Sequence, residues 1–106
     1  MSFANVPTPA LILDRKALTR NIEAMHARMR DRGVGLRPHL KTAKSADVAR
    51  LVTEGQPGGI TVSTLAEAEY FHERGFTDIL YAIGIAPGRI ARVNALSKAG
   101  AEIKII

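Results

Sequence analysis

The chain has 106 residues, of which 46% are hydrophobic and 24% are charged, and both proportions are ordinary for a folded globular domain. It contains no cysteine, which excludes disulfides, thiolate metal sites and thiol nucleophiles. No apolar run approaches the roughly 18 residues that a membrane span needs, and the amino terminus lacks the features of a signal peptide. We therefore expect a cytoplasmic protein with no membrane partner.

The positive charge is concentrated in the first half of the chain. Its net charge is +5, and residues 14–50 alone carry ten basic and four acidic side chains, or +6. A basic segment of this kind suits a phosphate-bearing ligand or a nucleic acid, although a solvated helix face gives the same pattern. The two tyrosines and three phenylalanines do not alternate with the basic residues. We therefore expect no nucleic-acid partner.

The first elements are a short strand and a long helix. Pro7 and Pro9 restrict the backbone to extended or turn conformations, and the apolar residues 10–13 that follow predict a strand. Asp14 is a suitable N-cap for the next segment. An apolar stripe at helical spacing then predicts an amphipathic helix that ends at Gly33. The stripe consists of Leu18, Ile22, Met25 and Met29.

Strands and helices alternate through the rest of the chain. Ser45 and Thr64 are predicted N-caps, Thr64 forms a capping-box pattern with Glu67, and Pro87 suits the first turn of a fourth helix. The predicted strands are 34–41, 60–63, 78–82 and 102–106. Alternation at this spacing predicts an α/β fold with a parallel sheet.

Four parallel strands fit either a small open sheet or the first half of an eight-stranded (β/α)8 barrel, which needs about 250 residues. The chain stops inside an apolar strand, so we expect a piece of a longer protein that is inactive alone. We assign 1–13 to an N-terminal segment with a strand and 14–106 to a partial barrel of about four βα units.

The most informative stretch is residues 36–41, because it alternates apolar and basic side chains. In a strand, successive side chains point to opposite faces. The basic row therefore lies on one face, which in a barrel is the interior. Lys41 comes last, at the carboxyl end where barrel active sites lie. The basic row consists of Arg37, His39 and Lys41.

Lys41 is the candidate nucleophile. A lysine amine attacks a carbonyl only when it is neutral, and nearby cations such as Arg37 and His39 favour the neutral form. An exposed lysine at a strand end is the alternative. Thr61 and Ser63 have the same strand parity and would place hydroxyls beside the basic row.

The other polar residues indicate a functional role less strongly. Tyr81 either reaches a ligand or fills the barrel. Glu67, Glu69 and Glu73 are predicted to lie on a solvated helix face. The three histidines are far apart in the sequence, so we predict no metal site in this chain.

Five segments resemble D-threonine aldolase and D-serine dehydratase, which are fold type III pyridoxal-phosphate enzymes of the alanine-racemase type. The segments are TPALILD at 8–14, NI at 21–22, RPHLKTAKS at 37–45, GITVST at 59–64 with EAE at 67–69, and DILYA at 78–82. The resemblance covers nearly the whole chain. It implies a pyridoxal 5'-phosphate barrel followed by a β domain, to which the strand at 10–13 would belong.

The resemblance also implies site residues. Lys41 would form the Schiff base with the cofactor. Together with this role, the strand positions described above predict that Arg37 and His39 lie at the cofactor, and less directly Thr61, Ser63 and Tyr81. A divalent metal of the Mn, Mg or Zn type would be bound by residues near the carboxyl terminus of the intact protein. Those residues are absent here. Many relatives have a histidine where this chain has Ala43, so no metal or proton role is assigned there.

The implied activity is that of a homodimeric lyase acting on small D-3-hydroxy amino acids, by aldol cleavage or dehydration. An amino-acid racemase on the same fold remains an alternative. A pyridoxal-phosphate barrel without turnover, acting in cofactor homeostasis, is another. The residues in this chain do not choose between cleavage and dehydration.

Overall fold

The structure is a computed structural model that describes residues 2–106. It contains four α-helices, three strands and one 3-10 turn. In chain order these are α1 (Arg15–Asp31), α2 (Ala46–Thr53), β1 (Ile60–Val62), α3 (Leu65–Glu73), β2 (Asp78–Tyr81), the 3-10 turn Pro87–Arg89, α4 (Ile90–Lys98) and β3 (Glu102–Ile105). From β1 onwards, strands and helices alternate as the sequence predicts.

The predicted helix starts are confirmed by their caps. Asp14 Oδ1 accepts a hydrogen bond from Ala17 N–H at 2.9 Å, and Thr64 Oγ1 accepts one from Glu67 N–H at 3.0 Å. The Ser45 hydroxyl accepts from Val48 N–H at 3.4 Å. Each cap satisfies a backbone donor that the first helical turn leaves without a partner.

The sheet is parallel, with strand order β1-β2-β3. The predicted strand at 34–41 is wrong in its extent, because only His39 forms a bridge with β1, opposite Thr61. Two hydrogen bonds make this bridge: Leu40 N–H donates to Thr61 O, and Thr61 N–H donates to Pro38 O. Pro38 has no N–H to offer, and the chain turns directly after Leu40, so no longer ladder forms.

The predicted strand at 10–13 does not form within this structure. The segment has no strand pairing, and Leu11 is 98% exposed. A strand needs a partner for its backbone groups, and the β domain predicted to supply one is not part of these 106 residues. Whether the segment docks on such a domain stays a prediction.

The core lies between the sheet and helices α3 and α4. Its largest fully buried side chains are Phe71, Ile60, Leu65, Ile79 and Val62. The apolar face of α3 consists of Leu65, Ala68 and Phe71, which are all buried. Parallel β strands with helices packed on one face are the local geometry of an α/β barrel wall.

The first helix is packed differently. No residue of α1 is buried, and Met25, from the predicted core stripe, is 40% exposed. The stripe is therefore only partly covered in the described residues. His26 of this helix is part-buried, and its Nε2 lies 2.8 Å from Val52 O at the end of α2. This contact connects α1 to the rest of the chain.

The two faces of the sheet differ in character. Ile60 and Val62 pair with Ile79 and Tyr81 on the face towards α3 and α4. The opposite face, called the inner face below, carries the row Thr61, Leu80 and Lys104, continued by the bridged His39. No helix within residues 2–106 is both long and apolar enough to cross a membrane.

Candidate functional site

Lys41 lies at the carboxyl end of the sheet. Because His39 pairs with Thr61, Lys41 is two residues further on, beyond the level of the last β1 residue, Val62. It begins the turn 41–43, which Lys44 N–H closes by donating to Leu40 O at 2.9 Å. The side chain is exposed, and Lys41 forms no ion pair with any residue of 2–106.

His39 and Thr61 are brought together with Lys41. The pairing places both on the inner face, where His39 is exposed and Thr61 is buried. Lys41 N–H donates to His39 Nδ1 at 3.2 Å. In the neutral ring, this acceptor role puts the proton on Nε2. An imidazole and a hydroxyl therefore lie on the inner face of the sheet, next to the turn that Lys41 begins.

Ser63 lies at the same edge but its hydroxyl is already engaged. Its Oγ donates to Glu67 Oε2 at 3.1 Å. Glu67 is only 6% exposed, so the prediction that it lies on a solvated face is wrong. The signal was present in the sequence, since a capping-box glutamate turns back towards the start of its own helix. Glu67 is the polar residue of this edge that the sequence interpretation missed.

The other two glutamates of α3 do lie on an exposed face, as predicted. Glu69 binds Arg92 of α4 through two hydrogen bonds, of 3.0 and 2.8 Å. Glu73 lies 3.7 Å from Arg74. These pairs join helices or neighbours on the surface and take no part in the carboxyl edge of the sheet.

Arg37 does not join Lys41. Its Nη1 donates to Asp78 Oδ1 at 2.9 Å and to Ile60 O at 3.2 Å, and its Nη2 donates to Asp78 Oδ2 at 2.7 Å. Ile60 and Asp78 are the first residues of β1 and β2, so the guanidinium lies at the amino ends of the strands. The prediction that Arg37 lies at the cofactor beside Lys41 is not supported by this position.

Asp78 connects two cations. Lys104 Nζ donates to Asp78 Oδ1 at 2.6 Å, on the carboxylate that also binds Arg37. Hydrogen bonds from Arg37, and then from Lys104, lower the pKa of Asp78 from its ordinary 3.8 to about 2. The carboxylate is therefore ionised throughout the neutral range.

Tyr81 belongs to the core. It is 4% exposed and pairs with Val62 on the face towards α3 and α4, away from the inner face. The sequence left open whether it reaches a ligand or fills space. The structure places it among the packed residues on the helix side, because it shares strand parity with Ile79 and not with Leu80.

The residues at the carboxyl edge fit an aldehyde-bearing cofactor. Lys41 presents a primary amine that no described carboxylate holds, and that amine is the group with which an aldehyde condenses. His39 and Thr61 offer hydrogen-bonding groups on the same face. Among residues 2–106, no group of three or more His, Cys, Asp or Glu could hold a metal ion.

Comparison with known proteins identifies the same fold. The family model described as "Alanine racemase, N-terminal domain" matches residues 13–103. D-threo-3-hydroxyaspartate dehydratase from Delftia sp. (strain HT23) is 48% identical over 99% of this chain and 28% of its own length. Its solved structure has a TM-score of 0.90 at 46% identity, over 95% of this chain and 27% of that one.

Two further relatives have different reactions in their names. D-serine dehydratase from Dictyostelium discoideum is 35% identical over 81% of this chain and 23% of its own length. The structure of D-threonine aldolase from Filomicrobium marinum has a TM-score of 0.83 at 28% identity, over 93% of this chain and 27% of that one. The chain thus spans about a quarter of the length of these relatives. Its alternating strands and helices and its match to the family model show that it belongs to the alanine racemase N-terminal domain family.

Proposed function

We propose that this chain is the amino-terminal part of a pyridoxal-phosphate-dependent lyase acting on D-3-hydroxy amino acids, with Lys41 as the residue that binds the cofactor. The family implies pyridoxal 5'-phosphate, and the relatives named above are dehydratases and an aldolase. The observation that carries the proposal is the position of Lys41, an unpaired amine at the carboxyl edge of a parallel sheet.

Each residue of the edge has a part in this proposal. Lys41 would hold the cofactor through its amine. His39, Thr61 and Ser63 would line the same edge of the sheet. When bound, pyridoxal phosphate supplies an electron sink that stabilises negative charge at the substrate Cα. The amine of Lys41 would then be the group that accepts or returns a proton at that carbon. Glu67 holds the Ser63 hydroxyl in a fixed direction.

The reaction type is open between two lyase reactions. Dehydration takes the proton from Cα and expels the β-hydroxyl, whereas aldol cleavage breaks the Cα–Cβ bond. The relatives' names include both. These names do not favour a racemase or a cofactor carrier without turnover. The proposal also includes a homodimer, a cytoplasmic location and a divalent metal bound outside these residues. The metal is supported by a solved variant of a D-threo-3-hydroxyaspartate dehydratase whose name says that it is in the metal-free form.

The test is Lys41→Ala in the full-length protein. Borohydride reduction of the wild-type protein with pyridoxal phosphate should leave one phosphopyridoxyl group, mapped by peptide mass to Lys41. The variant should carry no adduct and should lose turnover of D-threonine, D-serine and D-threo-3-hydroxyaspartate by several orders of magnitude, because no other amine occupies that position.

Lys44→Asn is the matched control. It removes a second exposed amine three residues away, and asparagine tolerates the positive φ of 47° found there. This variant should keep the adduct. Retention of the adduct and the activity in Lys41→Ala would contradict the proposal. An adduct found on Lys44 instead of Lys41 in the wild-type protein would also contradict it.

A further inference from the structure

We propose that Arg37 is a positioning residue, whose guanidinium fixes the strand register of residues 37–41, called the Lys41 segment below. This inference rests on the proposed function, because it concerns the placement of the cofactor-binding amine. Arg37 touches neither Lys41 nor the carboxyl edge. It acts through the backbone of residues 37–41 from the other end of the sheet.

The backbone alone holds this segment weakly. Between residues 34 and 45, a single bridge at His39 joins the segment to β1, through two hydrogen bonds to Thr61. Leu40 is the one side chain of that stretch that is buried, at 2% exposure. β1 and β2, by comparison, pair at three successive positions, and β2 and β3 at four.

The register decides which way Lys41 faces. Strand side chains alternate with a period of two, so a slip of one residue moves every side chain to the opposite face. Such a slip would turn Lys41 towards the helices and Leu40 out of the core. The burial of Leu40 and the hydrogen bond from Leu36 N–H to Gln56 Oε1 at 3.2 Å oppose such a slip, but neither is a directional bond to the strands of the sheet. A directional contact to those strands would exclude the alternative more strictly.

Arg37 supplies that contact with directional bonds. It binds both oxygens of Asp78 and also the carbonyl of Ile60, so it spans from its own segment across β1 to β2. A planar fork that binds a carboxylate through two parallel bonds accepts only a narrow range of positions. Lys104 of β3 binds the same carboxylate, which orders Asp78 from the other side.

Gly59 allows this arrangement. A Cβ built at Gly59 would lie 2.4 Å from the Cζ atom of Arg37 and 2.5 Å from both terminal nitrogens. The guanidinium therefore lies directly over the glycine, at the position before the first residue of β1. Any larger residue there would displace the fork without changing a charge.

The guanidinium of Arg37 lies at the opposite end of the strands from Lys41. It binds Ile60 and Asp78, the first residues of β1 and β2, whereas Lys41 begins the turn beyond the carboxyl end of β1. The guanidinium also extends towards the amino ends, where Asp78 lies. Its loss should therefore change where the Lys41 amine sits, without removing a group from the active site.

The experiment compares two arginine-to-lysine changes in the full-length protein. Arg37→Lys keeps the charge but loses the fork. Arg92→Lys is the matched control, because Arg92 binds Glu69 with an equivalent two-bond geometry but joins α3 to α4. Arg37→Lys should lower kcat about tenfold or more, reduce the visible absorbance of lysine-bound cofactor, and leave substrate KM within about threefold. Arg92→Lys should change none of these.

Gly59→Ala provides a second route to the same displacement and guards against a folding defect in Arg37→Lys. It should reproduce the loss of absorbance and kcat, and the double variant should be no worse than either single one. Equal effects of Arg37→Lys and Arg92→Lys, or additive effects of Arg37→Lys and Gly59→Ala, would overturn the inference. Absence of an adduct from the wild-type protein would instead contradict the proposed function.

Discussion

The two parts of the molecule are stabilised in different ways. Residues 60–105 form the sheet with α3 and α4, and they bury Phe71, Ile60 and Leu65 completely. Residues 2–45 contain α1 and the Lys41 segment, and Leu40 is their one buried side chain. Packing therefore holds the second part. The first part is attached mainly by polar contacts, namely the bridge at His39, the Arg37–Asp78 pair and the hydrogen bonds from His26 to Val52 and from Leu36 to Gln56, with Leu40 as its one side chain in the core.

This difference matters because the candidate nucleophile lies in the part with little packing. Segments with few buried apolar contacts open locally at a lower free energy than the core. Lys41 itself is exposed, its N–H binds His39, and Leu40 between them is the one neighbour in the core. Its placement therefore depends on that single side chain and on the hydrogen bonds and ion pairs to β1 and β2.

The largest effect should come from the packed part. Phe71→Ala removes the largest fully buried side chain, which also contacts Tyr70 and Phe76 edge-to-face. We expect the free energy of unfolding to fall by about 3–5 kcal/mol, because the truncation leaves a cavity in close-packed surroundings. Urea-induced unfolding of the full-length protein, followed by circular dichroism, measures this loss.

The matched change in the other part is Met25→Ala, on the apolar stripe of α1 but 40% exposed. Its cost should be below about 1 kcal/mol. A cost for Met25→Ala as large as that of Phe71→Ala would mean that α1 is packed in the full-length protein as firmly as the sheet. The contrast between the two parts would then hold for these residues alone.

Much of the fold could be predicted from sequence because its signals are local. The caps at Asp14, Ser45 and Thr64 follow from hydrogen bonding within one helical turn, and all three are present. The pattern could not give the extent of a strand, since pairing depends on a distant partner. The segments 34–41 and 10–13 both have strand-like sequences and form, respectively, one bridge and no pairing.

The site was predictable only in part for a similar reason. Strand parity correctly separated the face of Leu40 from that of His39. Parity could not say that Arg37 reaches the amino ends, because its partner Asp78 is 41 residues away in the sequence. Nor could it decide which face of β2 meets the helices, so Tyr81 stayed open between ligand and core.

Asp78→Asn tests the Arg37–Asp78 ion pair, which joins the two parts of the molecule. The folded-state pKa of about 2 lies below the ordinary 3.8, so the ionised carboxylate stabilises the fold above pH 3.8. That contribution is lost as the pH falls from about 4 to about 2. At neutral pH the substitution should cost about 1–2 kcal/mol, allowing for the 30% exposure of the side chain.

The pH dependence is the decisive part of that measurement. The difference in unfolding free energy between wild type and Asp78→Asn should be constant from pH 5 to 8 and should shrink towards zero near pH 2. Lys104→Gln is a partial control, because Arg37 still binds the carboxylate. A difference that does not depend on pH would show that the charge of Asp78 does not contribute to the free energy of unfolding.

The smallest effect should come from two helix caps with nearly the same geometry. Thr64→Ala removes the cap of α3 in the packed part, and Asp14→Ala removes the cap of α1 in the other part. Each leaves one backbone N–H without its partner, at a local cost of about 1 kcal/mol.

The two caps should differ in their global effect. Because α3 unfolds together with the core, Thr64→Ala should lower the global unfolding free energy by that amount. Asp14→Ala should lower it by a few tenths at most and should instead speed amide exchange in the first turn of α1. Equal global effects of the two caps would mean that α1 and the sheet unfold as one cooperative unit, and that the Lys41 segment between them is held as firmly as the core.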